Sequence, residues 1–117
     1  MHPKAPEISV SPARFQYHFW FNIKPDASES GALAVARSFL TAQVESGQIA
    51  AFRLLRNTEE RPNTILPRYL ALIEFTDREH FSKAFSDLRG AGIHQGAHGE
   101  LMRMVADFRV EFTEMPE

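Results

Sequence analysis

Residues Phe15 to Asn22 read FQYHFWFN. At the two-residue period of a strand they split into Phe15, Tyr17, Phe19 and Phe21 on one face and Gln16, His18, Trp20 and Asn22 on the other. Both faces carry aromatic surface, so this strand needs cover on each side and belongs at the centre of a sheet. Tyr69 to Phe75 is apolar on both faces apart from Glu74, which places it beside the first strand. Ile49 to Arg56 sets Phe52, Leu54 and Leu55 among Arg53 and Arg56 and reads as an edge strand. From Leu101 onward, Met102, Met104, Ala106, Phe108, Val110 and Phe112 alternate with Arg103, Val105, Asp107, Arg109 and Glu111, which predicts a long final strand with one polar face.

Two helical patterns separate these runs. After Lys24-Pro25-Asp26 breaks the first strand, Asp26, Ser28 or Ser30 can cap a helix that runs to about Ser46. Its stripe of Leu33, Ala36, Phe39, Leu40 and Val44 keeps the three-and-four spacing of one buried face, and Gly47 stands where a left-handed cap ends it. Thr76-Asp77-Arg78-Glu79 has the spacing of a capping box, and Phe81, Ala84, Phe85 and Leu88 form the stripe of a second helix closed by Gly90. Gly90 to Gly99, with four glycines, reads as a loop. Pro3, Pro6 and Pro12 make residues 1–14 an extended tail, in which Ile8 and Val10 could add an edge strand, ahead of a single domain over 15–117. Asn57 to Arg68, polar and with two prolines, is a mobile connection and a candidate lid.

The order βαββαβ, with right-handed crossovers, gives an α+β ferredoxin-like sandwich with a four-stranded antiparallel sheet. The first and third strands are central and the second and fourth are edges. Phe15, Tyr17, Phe19 and Phe21 should face the helices, with Ala71, Ile73 and Phe75 and the Met102 to Phe108 series. His18, Trp20, Leu70, Leu72 and Glu74 are left on the open face, bordered by Arg103, Asp107, Arg109 and one arginine of the second strand. Bare, that face exceeds the apolar patch a monomer usually shows. A second copy packed face to face covers it most economically, so the sequence predicts a homodimer in which the two sheets form an α/β barrel.

At YHFWFNIKP, at Ala51-Phe52-Arg53-Leu54 and at VADFRVEF the chain resembles a small bacterial family of unassigned function within the dimeric α/β-barrel superfamily, over about residues 15 to 115. The resemblance implies fold and dimer and no particular activity. The superfamily also holds cofactor-independent monooxygenases, haem-degrading monooxygenases and small isomerases. These commonly place a polar residue such as Asn on the first strand and aromatic residues around a pocket, to which Asn22 and Trp20 correspond here.

The composition narrows the partners. With 13 basic and 15 acidic side chains the formal charge is −2, so no overall field draws in a polyanion. Laying Arg68 to Phe75 on the third-strand signature of RNA-recognition modules puts Leu70 and Leu72 at the stacking positions, which offer no aromatic platform; nucleic acid is not an expected partner. The absence of cysteine removes disulfides and thiolate chemistry. There is no apolar run of signal-peptide or membrane-spanning length, so a cytoplasmic protein with no membrane association is expected.

Candidate chemistry gathers on the open face. His18 and Glu74 lie on neighbouring central strands, where a carboxylate can hold an imidazole as general base; the bland reading is a hydrogen-bonded pair inside a dimer interface. Trp20, Asn22, Leu70, Leu72 and Arg109 are the candidate ligand-binding set, and equally good interface core. His94 and His98 are four apart, as in zinc sites, with Glu100 nearby, but the glycines around them argue against a helix that would present both. His80, beside Glu79, reads as solvated. No metal or organic cofactor is called for. The sequence names no function: it supports a soluble homodimer binding a small organic molecule. The alternatives are a cofactor-independent monooxygenase or isomerase using an aromatic or enolisable substrate, and a structural or regulatory module binding partners through the Asn57 to Arg68 connection.

Overall fold

A computed structural model describes residues 13–59, 66–92 and 95–116. The expected edge strand at Ile8 and Val10, the middle of the Asn57 to Arg68 connection, and His94 lie outside them. The elements are β1 (Phe15–Ile23), α1 (Glu29–Glu45), β2 (Ala51–Arg56), β3 (Tyr69–Phe75), α2 (Arg78–Ala91), α3 (Gly96–Met102) and β4 (Val105–Glu114). They form an antiparallel sheet of order β2-β3-β1-β4 with helices on one face, the ferredoxin-like arrangement that the hydrophobic pattern predicts.

The doubly apolar strands are the central ones. Phe15, Tyr17, Phe19 and Phe21 stand opposite Phe75, Ile73, Ala71 and Tyr69 on the helix face, and Gln16, His18 and Trp20 stand opposite Glu74, Leu72 and Leu70 on the open face. Ser28 is the cap of α1, its Oγ accepting from the Gly31 N–H at 3.0 Å. The small buried residues Ala32 and Ala36 bring α1 close to the sheet. Gly47, at φ 79°, ends the helix in the left-handed conformation a Cβ would oppose. Asp77 caps α2, one residue later than the Thr76 box implies, with Oδ1 accepting from the His80 N–H at 2.8 Å.

Four readings need correction. The glycine-rich 96–102 segment is a helix, because α3 packs on α1 and carries Leu101 and Met102 onto the core, and tertiary packing overrides weak propensity. Met102 and Met104 therefore precede the last strand, and Arg103 is the residue capping α3. Within β4 the register shifts between the Trp20–Arg109 and Asn22–Ala106 pairs, leaving two β4 residues opposite Phe21 alone. This is a bulge with Asp107 at φ 54°. The bulge inverts the alternation, so Val105 is buried in the core and Ala106 shares the open face with Asn22, while Phe108, Val110 and Phe112 keep to the helix face. His80 is not simply solvated. The Thr76 N–H donates to its Nδ1 at 3.2 Å, which leaves the Nε2 proton for the Gly47 carbonyl at 2.9 Å, so its ring ties the start of α2 to the end of α1.

Candidate functional site

The helices do not fill the space they cover. α1 packs against α3 and β2, whereas α2 leans mainly on β3 and buries none of its residues fully. Between the helices and the sheet lies a cavity of about 250 Å³. Its floor is β1 and β3, and its roof is the stripe of α2, with Phe81, Ala84 and Phe85, facing Phe39 on α1 and Met102 on α3. One side is edged by Phe108 and Val110 of β4, exposed to 54% and 39%.

Three of the residues that line this apolar space carry polar side-chain groups: Tyr17, Gln43 and His98. The Tyr17 ring is held between Phe19, Phe81 and Phe112, with centroids 6.4, 5.9 and 5.3 Å away. Burial holds its hydroxyl above the usual tyrosine pKa, so it is a neutral donor at ordinary pH. The His98 ring lies against Phe39 at 5.4 Å. The hydrophobic pattern places Tyr17 in a filled core and His98 in a loop; the signal available for α3 was the spacing of His98, Leu101 and Met102, three and four apart.

The residues singled out in the sequence lie on the opposite, open face. His18 and Glu74 share that face, as expected, but bond to different partners. The Gln16 amide donates to the Ala13 carbonyl at 3.0 Å, so its Oε1 faces the Thr113 hydroxyl, which donates to it at 2.9 Å. The Thr113 oxygen is then left to accept from His18 Nε2 at 2.8 Å. This chain puts the proton of a neutral His18 on Nε2 and leaves Nδ1 as its basic nitrogen. Glu74 instead pairs with Arg53 at 3.8 Å. Trp20 donates Nε1–H to Glu111 at 3.3 Å, and Glu111 also holds Arg109 at 3.2 Å. The Asn22 amide donates to Asp107 at 3.2 Å and accepts the Arg68 backbone N–H at 2.8 Å, so it braces the bulge and the start of β3. Leu70 is buried and Leu72 half-buried.

A second cleft, of about 290 Å³, lies at the α1–β2 corner, lined by Leu54, Leu55, Arg37 and Arg56. Beside it the Tyr69 hydroxyl and Arg56 both engage Glu29, whose pKa is lowered first by the tyrosine hydrogen bond and then by Arg56. Among the described residues no three His, Asp or Glu side chains converge to hold a metal ion. No helix there is long and apolar enough to cross a membrane.

A model of a family of unknown function, DUF6614, matches residues 15–115. No functionally curated protein matches the chain. Among solved structures, a hypothetical Arabidopsis thaliana protein is similar with a TM-score of 0.64 at 10% identity, over 92% of this chain and 95% of its own. A variant of SnoaB, a cofactor-independent oxygenase from Streptomyces nogalater, gives 0.63 at 12% identity over 90% and 95%. A dimeric ferredoxin-like protein of unknown function from Thermobifida fusca gives 0.59 at 8% over 86% and 90%. At these identities the likeness is one of fold.

Proposed function

Because the chain belongs to the DUF6614 family, whose function is unknown, its role has to be read from its own surfaces, and we propose that it is a homodimer that holds a small apolar organic molecule in the cavity between sheet and helices. The observation that carries this reading is the cavity itself. It is a partly open space of about 250 Å³ walled by aromatic and aliphatic side chains, the kind of concave apolar surface at which small molecules bind. An apolar guest seated there covers aromatic surface that is otherwise left in contact with water.

The dimer is supported by the surface on the other side of the sheet. Trp20 and Leu72 stay half-covered there, and Leu55 is 44% exposed. The edge strand beside them has unpaired backbone and Phe112 half in water. A second copy laid on the open face and around the β4 edge covers both, and structural neighbours such as the Thermobifida fusca protein are dimeric.

Native mass spectrometry on protein purified without added ligand tests both parts. The expected spectrum is a dimer that retains, or takes up from an added hydrocarbon such as cumene, one extra small mass per subunit. A monomer refutes the dimer, and a dimer that takes up nothing refutes the cavity.

The orientation of His18 favours a second reading, a cofactor-independent monooxygenase or isomerase whose substrate sits between the two open faces. Gln16 and Thr113 then act as positioning residues that leave Nδ1 of His18 as the base. His18→Ala should abolish turnover of any substrate found by screening, and unchanged turnover removes His18 from the chemistry.

A further inference from the structure

We infer that Tyr17 sets the specificity of the cavity: its hydroxyl donates a hydrogen bond to an oxygen or nitrogen acceptor on an uncharged, mainly apolar ligand. This rests on the cavity being a ligand site, as proposed above, and adds which ligands it prefers.

Three observations carry it. Tyr17 lines the cavity, and its ring is held from three directions, by Phe19 of its own strand, Phe81 of α2 and Phe112 of β4. Its hydroxyl has no hydrogen-bond partner among the described residues, and a half-buried donor without a partner is satisfied by whatever enters beside it. Finally, among the described residues no Lys, Arg, Asp or Glu lines the cavity. A charged ligand would leave water without meeting a permanent counter-charge, whereas a ketone, ether or ring nitrogen gives up little hydration and regains a hydrogen bond.

Gln43 and His98 stand on the helical side of the same space. Tyr17 lies on the central strand, whose position is fixed by ladders on both sides. It is therefore the group that orients the ligand.

The test compares acetophenone, which has an acceptor, with cumene, which has nearly the same shape and none, and with benzoate, which is charged. Dissociation constants are measured by chemical-shift titration of the full-length protein and of Tyr17→Phe, a variant that keeps every ring carbon. The expected result is that Tyr17→Phe weakens acetophenone about three- to tenfold, the worth of one hydrogen bond, and leaves cumene unchanged. Benzoate is expected to bind more weakly than acetophenone at neutral pH. If acetophenone and cumene both bind and the variant shifts both equally or neither, the Tyr17 inference is overturned while the cavity reading stands. Tighter binding of benzoate overturns the uncharged class. If neither neutral probe binds, the cavity reading fails and this inference fails with it.

Discussion

Ala84→Leu is the substitution whose sign depends most directly on the cavity. Ala84 is half-buried on α2, in the roof of the space and next to the packed core. Leucine adds three carbons there. At about 0.8 kcal/mol per buried carbon the gross gain is about 2.4 kcal/mol. Ordering the new side chain costs about 0.5–1 kcal/mol, so the net expectation is a stabilisation of about 1.5 kcal/mol. In a filled core the same enlargement destabilises by about 1–3 kcal/mol. Ala32→Leu provides that contrast within the same protein, because Ala32 on α1 is 1% exposed and does not line the cavity. The assay is urea unfolding at one fixed protein concentration, reading the midpoint with the slope held as a check on two-state behaviour. Ala84→Leu should raise the midpoint and abolish cumene binding, and Ala32→Leu should lower it. A loss of stability in both variants, or no change at Ala84 with binding retained, would refute the argument that α2 roofs an empty space.

Leu72→Glu places a carboxylate at the centre of the open face, where a second copy would have to desolvate it, so light scattering should show the dimer weakened by at least about a hundredfold; a dimer of unchanged strength would remove that face from the interface. Folding stability should fall above about pH 10. The Tyr17 hydroxyl titrates higher folded than unfolded, so its contribution is complete below the unfolded value and is lost as pH rises. Unfolding titrations of Tyr17→Phe should show a shallower alkaline loss, and an identical profile would exclude Tyr17 as its source. In hydrogen exchange the amides of α2 should open before those of β1 and β3, and acetophenone should slow them; uniform protection across all three would contradict the loose seating of α2.

What could be read in the sequence was whatever depends on period and chain order. The alternation in β1 and β3 alone places both strands centrally and assigns Tyr17 and His18 to opposite faces, since a strand's period admits no other outcome while the register holds. It failed in β4, because a bulge is one extra residue at one point. Asp tolerates positive φ better than most residues, yet nothing in ADF separates Asp107 from an ordinary outward-facing polar residue. α3 failed for a different reason: its glycines lower its intrinsic helicity, and the contacts that compensate come from α1, more than fifty residues away in the chain. The cavity was hidden at a third level. The stripe Phe81, Ala84, Phe85 and Leu88 is visible as a stripe, but whether it meets the sheet or stands off from it depends on where both ends of α2 are fixed. One end is fixed by His80, which links to the carbonyl of Gly47, and the other turns at Gly92 with φ 101°.

The position of α2 also decides how the two faces of the sheet divide the work. β1 and β3 each pair on both sides, so neither can shift without breaking two ladders, and the floor of the cavity and the open face are therefore rigid together. α2 has no fully buried residue and is tied down mainly at its start, by Asp77 and His80. Phe81 and Phe85, which stack on each other at 5.6 Å, belong to the helical side of the cavity, so a guest held there would meet the rigid sheet only as its floor. The open face then remains available for a second copy whether or not the cavity is filled. If the chain dimerises through the open face and holds a guest in the cavity, this geometry predicts that the two events are weakly coupled, because coupling requires one site to bias a conformation that the other senses. The exception is the β4 edge. Phe108 and Phe112 take part in the cavity side of the sheet while Arg109 and Glu111, between them, face the other way, so it is through β4 that occupancy of one face would be felt at the other.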